Sequence, residues 1–144
     1  MTSLEPPKAI KVGDTASMKK VVSDNDVRTF AEISGDRNPV HLDDEYAART
    51  PFGRRIAHGA LTGALISAVL GQVMPGPGTI YLSQTYKFKA PVYIGDEITA
   101  KLEVISYRED KRIATLKTDV FNQDGKLILE GEAVVIAPAP STGA

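Results

Sequence analysis

One stretch constrains this chain more than any other: Gly59 to Gln72 is apolar around nearly its whole circumference if wound as a helix. Ala60, Leu61, Ala64, Leu65, Ile66, Ala68, Val69 and Leu70 cover far more than a single stripe, so the sequence predicts a helix enclosed on most sides. Its many small residues let another backbone approach closely. The surrounding run, Ala57 to Met74, is broken by His58, Thr62, Ser67 and Gln72 and carries Gly59, Gly63 and Gly71. That pattern describes a buried helix rather than a bilayer span.

From Thr79 onward the period changes from helical to two. Ile80, Leu82, Tyr86 and Phe88 alternate with Tyr81, Ser83, Thr85 and Lys87, which predicts a strand exposed on one face. Gln84 falls on the apolar side of that alternation and requires a polar partner there. Ile98, Ala100, Leu102 and Val104 alternate with Glu97, Thr99, Lys101 and Glu103 in the same way. Arg108 to Lys111 forms a charged turn, Asn122 to Gly125 carries an Asp-Gly hairpin signal, and a last strand runs from about Leu127 to Ile136. An apolar helix followed by antiparallel strands implies an α+β domain whose sheet wraps around that helix.

The first half is more helical. Thr15 to Val22 reads as a first strand after the Gly13-Asp14 turn. Ser23 and Asp26 have the spacing of a helix N-cap signal, and Val27, Phe30 and Ala31 recur at helical intervals behind it. Ser34 to Pro39 must be a loop, because Gly35 and Asn38-Pro39 both interrupt helices. A short helix is expected over Asp43 to Arg49, and a second loop over Pro51 to Ala57. With 144 residues the chain has room for one core, expected over 12–137, with unstructured tails at 1–11 and 138–144.

Composition narrows the chemistry. Lys plus Arg number 17 and Asp plus Glu 18, a formal net charge of −1, which argues against nucleic acid or an anionic membrane as the main partner. The absence of cysteine excludes disulfides, thiol nucleophiles and thiolate metal sites. Only His41 and His58 are present, so a multi-histidine metal site would have to use both; no metal is expected. The first eleven residues contain no apolar run, and the expected compartment is the cytoplasm.

Two places carry candidate chemistry. Asp36 and His41 lie five residues apart on a loop stiffened by Pro39 and allowed to turn by Gly35, where a carboxylate and an imidazole can share a water and move protons both ways. By spacing alone the plainer reading wins: Asp36 and Asn38 are common Asx-turn residues, and a lone histidine is usually structural. His58-Gly59 stands where a loop enters the apolar helix, and a helix N-terminus offers unpaired N–H groups to a developing oxyanion. The His58 side chain reads as a packing or capping group, so His58→Gln is expected to leave appreciable activity.

The run Phe30 to Ala47, Phe-Ala-Glu-Ile-Ser-Gly-Asp-Arg-Asn-Pro-Val-His-Leu-Asp-Asp-Glu-Tyr-Ala, resembles the hydratase-2 signature of the MaoC-like (R)-specific enoyl-CoA hydratases. Ala57-His58-Gly59 resembles that family's second short motif, and Tyr81 to Asp96 is also family-like. The likeness spans roughly Val12 to Ile136. It implies a hot-dog fold, an antiparallel sheet around one long helix, and a homodimer with sites near the interface. It further implies that Asp36 and His41 are the catalytic pair holding the water, and that the Gly59 N–H polarises the thioester carbonyl. Asn38 matches the asparagine that helps fix the loop and Ser67 a serine lining the substrate site. Ala60 departs from the family, standing where many members carry Met.

The reaction implied is reversible syn hydration of trans-2-enoyl-CoA to the (R)-3-hydroxyacyl-CoA, as in short-chain bacterial members that supply polyhydroxyalkanoate monomers. No cofactor is required, since coenzyme A is part of the acyl-CoA substrate. Arg54 and Arg55 are candidates for its phosphates, although loop arginines are more often solvated. The rival readings are a hot-dog acyl-CoA thioesterase, a 3-hydroxyacyl-carrier-protein dehydratase and a non-catalytic acyl-binding module.

Overall fold

A computed structural model describes residues 9–139. The tails expected at the two ends fall largely on residues 1–8 and 140–144, which lie outside the described residues. The elements run β1 (Thr15–Val21), α1 (Asp24–Ser34), α2 (Pro39–Leu42), α3 (Asp44–Ala48), α4 (Gly59–Gln72), β2 (Ile80–Gln84), β3 (Lys87–Phe88), β4 (Glu97–Arg108), β5 (Ile113–Phe121) and β6 (Leu127–Ile136).

Local chemistry sets these boundaries. Ser23 Oγ accepts from Asp26 N at 3.0 Å while Ser23 N donates to Asp26 Oδ2 at 3.0 Å, the reciprocal capping box its spacing predicts. Gly35 ends α1 in the left-handed region at φ 81°, and its N–H donates to Ala31 O. Asn38 caps α2 by accepting from Val40 N at 3.2 Å, with Pro39 at the first helical position.

All strand pairings are antiparallel, in the order β1-β4-β5-β6-β2, with β3 paired to β6. The period-two reading of β4 holds: Ile98, Ala100, Leu102 and Val104 are buried and face the core. Ala114, Leu116, Thr118 and Val120 of β5 lie on the same side. Helix α4 packs on β1, β4 and β5, burying Leu65, Ile66, Val69 and Leu70 against them.

Two expectations are corrected. Helix α4 is not enclosed on most sides: Ala60, Ala64 and Ser67 form an exposed stripe at spacings of four and three. The sheet covers one side of the helix, and the small residues line the side left bare. Second, the strand expected over Thr79 to Phe88 is split in two, and its apolar residues are not buried, with Ile80 55% and Leu82 50% exposed. The split occurs where Thr85 and Tyr86 cross Gly131 of β6. Thr85 N donates to Glu132 O at 2.9 Å, Glu132 N donates to Thr85 Oγ1 at 3.0 Å, and a Cβ on Gly131 would collide with the Thr85 carbonyl oxygen. The exposure follows from position: β2 ends the sheet, so one of its backbone edges and the apolar side chains along it are uncovered.

Candidate active site

Two loops and the start of α4 converge on one corner. The Ser34–Asn38 loop is held by local bonds: Asp36 N donates to Ser34 Oγ at 3.1 Å, and Asn38 N donates to Asp36 Oδ1 at 3.2 Å. Asp36 itself is exposed. His41, on the single turn of α2, is buried, and its Nδ1 lies 2.7 Å from the Ile56 carbonyl oxygen. A carbonyl only accepts, so Nδ1 carries the hydrogen and the neutral ring keeps its lone pair on Nε2.

Burial is the main influence that pushes His41 below the ordinary imidazole range. The Ile56 carbonyl and Asp36 oppose that displacement, while His58 adds to it. His41 is therefore a neutral base at pH 7.

His58 is the N-cap residue of α4 but makes no side-chain capping bond. Its ring is fully buried, packed face to face on His41 with centroids 3.9 Å apart and 29° between planes, and Phe30 touches it at 4.9 Å. Its Nε2 lies 2.9 Å from the carbonyl oxygen of Asp36 and must donate to it. The packing half of the sequence expectation for His58 stands, and the capping half does not.

One nitrogen from each histidine and one Asp36 oxygen lie within 4.8 Å of one another. Among the described residues these three are the group whose donors could hold a metal ion. His41 Nδ1 and His58 Nε2 are committed to backbone carbonyls, which leaves one nitrogen on each ring. An Asp36 oxygen and a His41 nitrogen no more than 4.8 Å apart are close enough for one water to bridge them.

A cavity of about 620 Å³ opens beside His41 and the first turn of α4. Gly59, Ala60 and Thr62 form its helical wall, and Phe52, Phe88, Pro91, Val92 and Ile128 supply most of the rest. The Gly59 and Ala60 N–H groups precede the first bonds of α4, in which Leu61 N and Thr62 N donate to His58 O, and both residues stand at this wall. Gly59 leaves room for packing as well as access: a Cβ there would lie 2.6 Å from Phe88 Cε1, so the ring would have to move. Phe88 thus seats its ring against the helix backbone, which residue spacing gave no means of foreseeing.

Asp36 meets His41, and His41 and Gly59 share the cavity wall, which Asp36 does not line. Asn38 is not at the cavity; its side-chain oxygen is taken by Val40 N, in keeping with a loop-fixing part. Ser67 lies on the exposed stripe of α4, outside the lining of this cavity. Ala60, where the sequence departs from the family pattern, is part of the wall. Arg55 is neither solvated nor free for phosphate: it is buried, pairs through both terminal nitrogens with Asp24, and lies 3.3 Å from Asp44, tying α1 to α3. Arg54 is exposed, with its guanidinium 4.0 Å above the Tyr93 ring.

The family model described as MaoC like domain matches residues 7–123. A 3-hydroxybutyryl-CoA dehydratase of Methylorubrum extorquens is 52% identical over 129 residues, covering 90% of this chain and 82% of that protein. An (R)-specific enoyl-CoA hydratase of Aeromonas caviae is 50% identical over 130 residues, covering 90% of this chain and 97% of that one. The solved structure of the (R)-hydratase from A. caviae superimposes with a TM-score of 0.88 over 90% of this chain and 98% of that chain.

Proposed function

This chain belongs to the MaoC-like domain family, and from that premise we propose that it is an (R)-specific enoyl-CoA hydratase of hot-dog fold. It adds water reversibly and syn across trans-2-enoyl-CoA to give the (R)-3-hydroxyacyl-CoA. The dehydratase name carried by the Methylorubrum relative describes the reverse direction of such an equilibrium. The observation that carries the reading is the meeting of an Asp36 oxygen and a His41 nitrogen beside a helix N-terminus and an apolar cavity.

The Asp36 carboxylate and His41 Nε2 are both acceptors, so a water between them donates one hydrogen to each and turns an oxygen lone pair outward. That oxygen bonds to C3 as one O–H bond breaks and the pair takes the proton. The same pair returns a proton to C2, so H and OH add on one face. Asp36 and His41 share this proton as a unit. Negative charge grows on the thioester oxygen, where the Gly59 N–H and the α4 dipole oppose it. Acid, base and oxyanion donor complete the reaction without a metal or redox group. A CoA-borne substrate also fits a cytoplasmic enzyme.

The working form in this reading is a homodimer. Its support is the uncovered β2 edge, the exposed Ile80, Leu82 and Phe88, and the bare small-residue stripe of α4 beside them. Contact across that stripe would bring a second copy against Ser67.

Incubation with crotonyl-CoA tests the activity. Loss of enoyl absorbance without release of free thiol, giving the (R)-product, is expected. Free thiol would instead indicate a thioesterase, and tight binding without turnover an acyl-binding module.

A further inference from the structure

We propose that His58 is the positioning residue of the site, holding Asp36 and His41 in register through its Nε2–H and its ring face. The inference rests on the reading of Asp36 and His41 as the pair that holds the reacting water. Three observations carry it. The Nε2–H donates to the backbone carbonyl of Asp36 itself, 22 residues away, and so anchors the exposed loop that presents the carboxylate. The ring lies flat on His41 and is backed by Phe30, so it fixes the plane in which the His41 lone pair points. Its Nδ1 is buried and has no hydrogen-bond partner among the described residues.

The last observation separates positioning from packing. A ring needed only to fill this space would be better made of carbon, since an unpartnered buried nitrogen carries a desolvation penalty with nothing to offset it. The imidazole is kept for the nitrogen that is bonded. Donation from Nε2 also fixes which nitrogen of His58 carries the hydrogen whenever the ring is neutral. The titratable groups acting on the charge of His41 are His58, which disfavours it, and Asp36, which favours it.

Two variants of the full chain separate the contributions. His58→Phe keeps a ring between Phe30 and His41 and removes the N–H; His58→Gln keeps a donor and removes the ring. With crotonyl-CoA, His58→Phe should lose kcat on the order of 10²-fold, the scale of a small misplacement of reacting groups, with KM nearly unchanged. His58→Gln should recover part of that loss by donating to the Asp36 carbonyl. In both variants the acid limb of the kcat profile should move to higher pH, further in His58→Gln, where water also reaches His41.

Wild-type kcat and an unshifted acid limb in folded His58→Phe and His58→Gln would overturn the proposal. So would losses that only track the folded fraction, measured by circular dichroism on the assayed samples. Asp36→Asn and His41→Gln serve as the control: if those retain activity the reading of the pair fails, whereas if only the His58 variants do, the pair stands and the positioning role alone falls.

Discussion

Two polar clusters lie against the apolar interior, one beneath the sheet edge and one at the entrance to α4, and they are completed differently. Under the edge, Gln84 Nε2 donates to the buried Thr118 Oγ1 at 2.8 Å and to Thr85 O at 2.9 Å, while its Oε1 accepts from the Tyr81 hydroxyl. The amide is satisfied by protein alone. At the entrance to α4, each histidine spends one nitrogen on a backbone carbonyl; the second nitrogen of His41 stays open while that of His58 is buried, and Asp36 lies at the surface. The closed cluster serves the fold. The cluster with donors and acceptors to spare is the one equipped to take up a water, and stability and chemistry should therefore respond separately to substitutions in the two.

The largest separation should come from Asp36→Asn and His41→Gln. Each should lose about 10²–10⁴-fold in kcat, the range of a general acid–base contribution, while the thermal midpoint stays close to wild type. Near-normal turnover in either would remove that residue from the pair. Next, Gly59→Ala keeps the N–H but drives a methyl into the Phe88 ring, so the backbone donor and the cavity wall shift together. Steady-state kinetics should show a loss on the order of 10²-fold, falling mainly on kcat.

The opposite signature belongs to the closed cluster. Thr118→Val leaves Gln84 without its buried acceptor and should cost about 1–3 kcal/mol in denaturant unfolding, with kcat per folded molecule unchanged. A matching loss of activity would erase the contrast between the two regions. The smallest effect is on pH. His41 is held below its ordinary value of 6.5, so its neutral form still prevails at that pH and gives way only below the lowered value. Turnover should fall as acid protonates Nε2 around that lowered value, whereas the stability linked to the buried neutral ring should be lost as pH falls from 6.5 towards it. A pH series of kcat/KM and of thermal midpoints on wild type and His41→Gln checks both; the His41 component should vanish from the variant.

Much of this was legible beforehand for physical reasons. Strand β4 could be read because one face meets the core and the other meets solvent, and α1 because its cap is made by residues three apart. The likeness of Phe30–Ala47 to a family signature located Asp36 and His41, which spacing alone read as an ordinary turn. Gln84 announced that it needed a partner without naming Thr118, which lies 34 residues further on.

What escaped the sequence depends on contacts between distant segments. The Ile56 carbonyl that sets the His41 tautomer has no side-chain signature at all. Arg55 and Asp24 meet across 31 residues, so a buried clamp reads as a solvated loop residue. The alternation over Ile80 to Phe88 was real, yet it predicted a buried face. Period alone distinguishes the two sides of a strand, and the ending of the sheet at β2 decides what lies against them.

Hydration of crotonyl-CoA in D₂O, followed by NMR of the product, addresses the mechanism most directly. A single water worked from one side by Asp36 and His41 predicts an R-configured hydroxyl at C3 and deuterium at C2 on the same face. Anti addition, an S-configured product or a racemic C2 would contradict it.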